Sequence, residues 1–199
     1  YRDILHQEDK LPQLYEQWLE LNPTCDEAVT YLLSHYEQQN QWKEYIRVLK
    51  LKAEDSEDNV KADAYLRIAK ISLEQLSERA DATDFFEKAF NLAPQTSEAY
   101  DYLNAFYRKD RKWDKLIILQ KKWTENLQND YQKVAPYASI AETYLFKQSN
   151  KDDAIEYFEK VRGYNAKGTY DKTEINNHID LTVGMEYTYY FDIITNEDN

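Results

Sequence analysis

Three histidines, one cysteine and 37 carboxylates are the side chains of this 199-residue chain that could act as bases, nucleophiles or metal ligands. His6, His35 and His178 lie far apart in sequence, and none has a companion at metal-ligand spacing, so surface or groove positions account for them better than a metal centre. Cys25 follows Pro23 and Thr24 at the start of a helical pattern, where the helix dipole can lower a thiol pKa, but no histidine stands beside it to serve as a base. The pairs Asp26-Glu27 and Asp152-Asp153 fall at helix starts, where the macrodipole favours negative charge without any catalytic duty. The three glycines, Gly163, Gly168 and Gly184, make no phosphate-cradling loop. The expectation is a chain with no catalytic residue, no metal and no cofactor.

One stretch departs from its acidic surroundings. Between Tyr107 and Trp123, seven basic residues (Arg108, Lys109, Arg111, Lys112, Lys115, Lys121 and Lys122) stand against Asp110 and Asp114, a local charge of +5 in a chain of net charge −12. The plainer reading is a solvated helix corner. The functional reading is a dock for an acidic segment, with Trp113 and Trp123 available for cation-π contacts once their core role is met.

Composition says what must position these groups. Few glycines, 4 prolines and 42% hydrophobic residues favour long helices. The pI of about 4.8 opposes binding to nucleic-acid phosphates or anionic lipid heads. No apolar stretch approaches the roughly 20 residues of a membrane span, so no membrane insertion is expected. The chain opens on Tyr1 rather than Met, which points to a fragment or a processed form. A cytoplasmic location is the expectation, with room for a targeting segment ahead of Tyr1.

The chain also matches itself. A shift of 71 positions lays Leu21, Pro23, Glu27, Ala28, Tyr31, Leu32, Tyr36, Trp42, Ile46 and Lys50 on Leu92, Pro94, Glu98, Ala99, Tyr102, Leu103, Tyr107, Trp113, Ile117 and Lys121. A shift of 72 lays Tyr65, Ile68, Ala69, Leu73, Asp81, Ala82, Phe86, Glu87 and Lys88 on Tyr137, Ile140, Ala141, Leu145, Asp153, Ala154, Phe158, Glu159 and Lys160. Half of either shift is about 36 residues, the period of stacked helix pairs. The pattern predicts helices over 11–21, 26–39, 41–54, 59–77, 81–92, 97–109, 112–127, 131–148 and 151–162. Thr24 with Glu27 reads as a capping box, and Pro94 as a helix stop.

The order Tyr65, Ile68, Ala69, Ala82, Phe86, Ala89, Pro94 resembles the tetratricopeptide repeat, and Tyr137, Ile140, Ala141, Ala154, Phe158, Val161 repeat it. Two units depart from that pattern. Leu33 and Asn104 stand where the family has a small residue, and Tyr45 and Leu116 where it has Ala, so looser or differently angled helix packing is expected there. The resemblance implies an all-α fold, an α-α superhelix or solenoid of helix hairpins over residues 1–165. It also implies a protein-interaction scaffold that holds a partner protein or peptide on its concave face, lined by the first helix of each unit. By that register Tyr31, Ser34, Gln38, Arg67, Lys70, Asp101, Tyr102, Arg108 and Glu142 are the partner-binding candidates. The Lys and Asn set that grips a peptide carboxylate in some members is not found at the matching positions. The competing reading is an accessory repeat region of a larger enzyme whose catalytic domain lies elsewhere.

Residues 166–199 differ in kind. From Ile179, Leu181, Val183, Met185, Tyr187, Tyr189, Phe191 and Ile193 alternate with mostly polar neighbours, a strand-like period that a capping helix or a loose tail could also carry. An unpaired strand of this kind, ending on Asn196-Glu197-Asp198-Asn199, is a candidate for self-association or for the basic corner.

Overall fold

The computed structural model describes residues 10–22, 25–54 and 56–166, and the regular elements among them are α-helices. They are α1 (Leu11–Leu21), α2 (Asp26–Gln38), α3 (Trp42–Glu54), α4 (Asp58–Glu74), α5 (Arg79–Leu92), α6 (Ser97–Lys109), α7 (Trp113–Asn126), α8 (Asp130–Lys147) and α9 (Lys151–Ala166). The Thr24 half of the capping box and the strand-like tail lie outside the described residues. The chain divides between Ala99 and Tyr100 into two compact units. The first holds α1 and the hairpins α2–α3 and α4–α5; the second holds the hairpins α6–α7 and α8–α9, with α6 starting just ahead of the division.

Helix limits follow local chemistry. Pro94 comes directly after the α5 cap residue Ala93, whose φ of −132° and ψ of 79° lie outside the helical region, which a following proline disfavours. At α9, Asn150 and Asp153 cap one another: the Asp153 N–H donates to Asn150 Oδ1 at 3.3 Å, and Asn150 Nδ2 donates to Asp153 Oδ2 at 2.7 Å. Gly163 does not end α9, which runs on to Ala166. Cys25, not Thr24, is the cap residue of α2 and is half-buried, and Glu27, expected to close a capping box, accepts from the Tyr15 hydroxyl at 3.0 Å instead.

The alanines of the second and fourth hairpins explain their packing. Ala69, Ala82 and Ala89 are buried where α4 meets α5, and Ala141 and Ala154 where α8 meets α9. A side chain that stops at Cβ lets two helix axes approach to about 8 Å, and Ile68, Phe86, Ile140 and Phe158 fill the space around the contact. In the first hairpin Tyr45 replaces the alanine and is fully buried, and α2 and α3 run close together over a much shorter stretch than the pairs α4–α5 and α8–α9. The looser packing expected of that unit is present.

The two sequence shifts reappear in the backbone. In the first and third hairpins the helix ends in a six-to-one hydrogen bond, Gln41 N–H to the Tyr36 carbonyl at 2.8 Å and Lys112 N–H to the Tyr107 carbonyl at 2.9 Å. In the second and fourth the bond reaches one residue further, Glu78 N–H to the Ser72 carbonyl at 2.8 Å and Asn150 N–H to the Tyr144 carbonyl at 2.9 Å. The first helices alternate in the same way, with 13, 17, 13 and 18 residues. The repeating object is therefore a pair of hairpins, short then long.

Each pair is latched on its second-helix side by the same contacts. Phe85 of α5 lies under Lys50 of α3 at 5.0 Å and under Lys88 at 4.7 Å, with the Tyr65 ring 5.7 Å away. In the second unit Tyr157 of α9 lies under Lys121 of α7 at 5.1 Å and under Lys160 at 4.1 Å, with the Tyr137 ring 5.7 Å away. Every residue of one latch is the sequence counterpart of a residue of the other.

Each hairpin turn passes through one residue in the left-handed region: Asn40 (φ 54°), Ser77 (φ 57°), Arg111 (φ 55°) and Ser149 (φ 54°). That conformation costs a residue with a Cβ about 1 kcal/mol or more, less for Asn. Arg111→Gly and Ser149→Gly are therefore expected to raise unfolding stability by about 0.5–1 kcal/mol each, after the extra chain entropy of glycine is subtracted. Asn40→Gly should change little, and thermal melting of the three variants checks the order.

Candidate functional site

The first helices of the hairpins carry all nine partner-binding candidates, and each candidate is exposed or half-buried. In the first unit, Tyr31, Ser34 and Gln38 follow one another at helical spacing on α2. Tyr31 stacks between Tyr15 at 4.5 Å and His35 at 6.2 Å, and the Gln38 amide donates to Ser34 Oγ at 3.4 Å. Arg67 of α4 reaches Glu37 of α2 at 3.5 Å and lies 4.9 Å over the ring of Tyr45. Lys70, one turn on, pairs with Glu98 at 2.5 Å. Both cations thus already hold carboxylates. An acidic ligand there exchanges one partner for another, at a cost near the 0–1 kcal/mol that a surface pair contributes.

In the second unit Asp101, Tyr102 and Arg108 lie on α6 and Glu142 on α8. Tyr102 stacks on Phe106 at 6.1 Å, and Arg108 donates to Ser139 Oγ of α8 at 2.5 Å. This bond is the counterpart of the Arg67–Glu37 pair: Glu37 shifted by 71 is Arg108, and Arg67 shifted by 72 is Ser139. In both units the end of one first helix is tied to the middle of the next, so neighbouring first helices present a joined face. The charges differ between the two faces. Lys70 corresponds to Glu142, and Glu37 to Arg108.

The register did not single out Glu37, Ser139 or a buried polar cluster behind Arg108. Gln120 of α7 is 1% exposed, and its amide nitrogen donates to Asn104 Oδ1 at 3.1 Å and to Ser139 Oγ at 2.8 Å. Its counterpart in the first unit is Leu49, and that of Asn104 is Leu33. The signal was present in the sequence as a lone Gln among Leu116, Ile117 and Leu119, at a position the repeat makes apolar. Beside this cluster the Tyr100 ring stacks on Trp123 at 4.4 Å. Burial pushes the Tyr100 phenol up to about 12, and Arg108 opposes the shift. Tyr36 of the first unit is also raised to about 12, by burial and then by its hydrogen bond to Glu16.

Among the described residues there is no group of three or more His, Cys, Asp or Glu side chains placed to hold a metal ion, and no helix long and apolar enough to cross a membrane. His35 is packed against Tyr31 and Tyr36, while His6 and His178 lie outside the described residues. The tryptophans of the basic corner take up aromatic contacts: Lys147 lies 5.6 Å over Trp113, and Trp123 is stacked as above.

No protein-family model and no curated protein sequence matches the chain. Solved structures that it resembles include MamA, at 22% identity over 80% of this chain and 90% of that one with a TM-score of 0.41. YrrB, described as a TPR protein with an unusual peptide-binding site, aligns at 17% identity over 94% and 88% with a TM-score of 0.42. PilF of Pseudomonas aeruginosa aligns at 15% identity over 82% and 78%, also with a TM-score of 0.42. At such identities and scores these likenesses carry nothing about ligands.

Two measurements test the site's chemistry. Gln120→Leu alone strands the Asn104 amide, while Ser139 keeps its bond from Arg108, and should cost about 1–3 kcal/mol, whereas Gln120→Leu with Asn104→Leu restores the apolar pairing of the first unit and should be near neutral in chemical denaturation. A phenol whose folded-state pKa is raised keeps its full stabilising effect below about pH 10 and loses it as the pH climbs through its folded value. Ultraviolet titration should accordingly show Tyr36 and Tyr100 ionising after the exposed tyrosines, with stability falling from about pH 10 to 12 and Tyr100→Phe falling less.

The hairpins with their buried alanines, the Pro94 stop and the repeated first-helix face make the fold a tetratricopeptide-like, all-α helical repeat.

Proposed function

We propose that this chain is a protein-interaction scaffold that holds an extended segment of a partner protein on the first-helix face of its hairpins. The observation that carries the reading is the matched pair of cross-hairpin links, Arg67 with Glu37 and Arg108 with Ser139, which join neighbouring first helices into one face in each unit. Such a face offers an extended peptide three kinds of contact. Tyr31 and Tyr102 supply ring surfaces at matching positions, Ser34 and Gln38 supply groups for backbone amides, and Arg67, Lys70, Arg108, Asp101 and Glu142 supply charge. Because Lys70 is replaced by Glu142 at the equivalent position, the two units select for different charge along a ligand.

Photo-crosslinking amino acids placed singly at Tyr31, Gln38, Tyr102 and Asp101 test this, with Glu87 and Glu159 on the second helices as controls. The first-helix positions should trap one and the same protein, whose labelling is competed by unmodified chain, and the controls should not trap it. Capture of that protein from the control positions alone would overturn the reading.

A further inference from the structure

The second unit has a surface feature that the first-helix face does not use. On α7, Lys115, Ile118 and Lys122 follow one another at i, i+3 and i+7, a single stripe that Arg111 extends into the preceding turn. Ile118 is 65% exposed, a branched apolar side chain left in water amid the most basic stretch of an acidic protein. The counterpart of Ile118 in the first unit is Arg47, so the exposed isoleucine is not a demand of the repeat. Within the stretch Lys112 pairs with Asp110 at 3.2 Å, and seven basic side chains face two acidic ones overall.

We propose that residues 179–199 of the same chain dock on this stripe. The complement is one of charge and of pattern together. Those residues contain five acids (Asp180, Glu186, Asp192, Glu197 and Asp198) and no Lys or Arg, opposite in sign to the stripe's cations Arg111, Lys115 and Lys122. Their apolar residues recur at every second position and supply the surface that Ile118 lacks, while long lysine stems reach round the segment to the acids that alternate with them. Ion pairs at a surface are weak and are screened beyond about 8 Å at physiological salt, so charge steers the segment and apolar contact keeps it.

The tether supplies the rest. Residues 167–178 separate the end of α9 from Ile179, and 12 residues can span up to about 40 Å. Gln148, in the turn before α9, donates to Asp114 at the start of α7 at 2.6 Å, so the far end of α9 lies one helix length, about 24 Å for 16 residues, from the turn that carries Arg111. A tether with reach to spare gives the docked segment an effective concentration on the order of millimolar, enough to populate a contact that would be too weak between separate molecules.

Zero-length carbodiimide coupling of lysine to carboxylate in the full chain reads this directly. Equal parts of unlabelled and nitrogen-15 chain are mixed at low micromolar concentration, and the coupled peptides are identified by mass spectrometry. The expected products join Lys115 or Lys122 to Glu186, Asp192, Glu197 or Asp198 within one isotope, and their yield falls at least threefold in 0.5 M salt and in Ile118→Asp. Mixed-isotope products would assign the segment to a second copy and overturn intrachain docking. Absence of these products, or a yield indifferent to Ile118→Asp, would overturn the stripe as the seat. Photo-crosslinking at Tyr31 and Tyr102 reports separately on the partner face, so the two readings fail independently.

Discussion

Ala69, Ala82 and Ala89 carry nothing beyond Cβ, and on that absence the close approach of α4 to α5 depends. Two helix axes about 8 Å apart leave no room for a larger side chain at the crossing, and added methylenes in a packed core typically cost about 1–3 kcal/mol. Ala141 and Ala154 set the same approach for α8 and α9. Once those helices are fixed, the aromatic that each presents is fixed too, Phe85 in one unit and Tyr157 in the other. Two lysines from successive second helices then close over each ring.

The alternation of a short first helix with a long one changes what the repeat can offer a partner. Where Tyr45 fills the place of an alanine, Arg67 of the following hairpin lies over its ring and meets Glu37. Where the third hairpin carries Asn104 and Gln120 in place of Leu33 and Leu49, the buried Gln120 amide bonds Asn104 and Ser139, and the exposed Arg108 meets Ser139 from the surface side. The two units share a scaffold but present unlike first-helix surfaces, with charges reversed at two equivalent positions. Such a pair can distinguish one ligand sequence from another, since a mismatched charge costs more than a matched one contributes.

Much of the fold was legible because the repeat writes each element twice. Helix limits came out within a few residues, since Pro94, Asp26-Glu27 and Asp152-Asp153 mark ends by backbone chemistry that needs no tertiary context. The alanine positions identified the tight hairpins, and Tyr45 marked the loose one. The candidate site was legible only as a register. Tyr31, Arg67 and Arg108 could be placed on the first helices, but their companions Glu37 and Ser139 come from other hairpins, and no local pattern encodes which residue stands opposite across a helix pair. Gln120 is the instructive case: its polarity at an apolar register position was visible in the sequence, while its partners required the packing.

The central claim is that a partner lies along the first helices. Hydrogen–deuterium exchange of the chain with and without a co-purified partner tests it most directly, because backbone amides report on both sides of every hairpin at once. Slowed exchange is expected in peptides of the first helices α2, α4, α6 and α8, with α3, α5, α7 and α9 unchanged. Slowed exchange confined to the second helices, with the first helices unaltered, would contradict it.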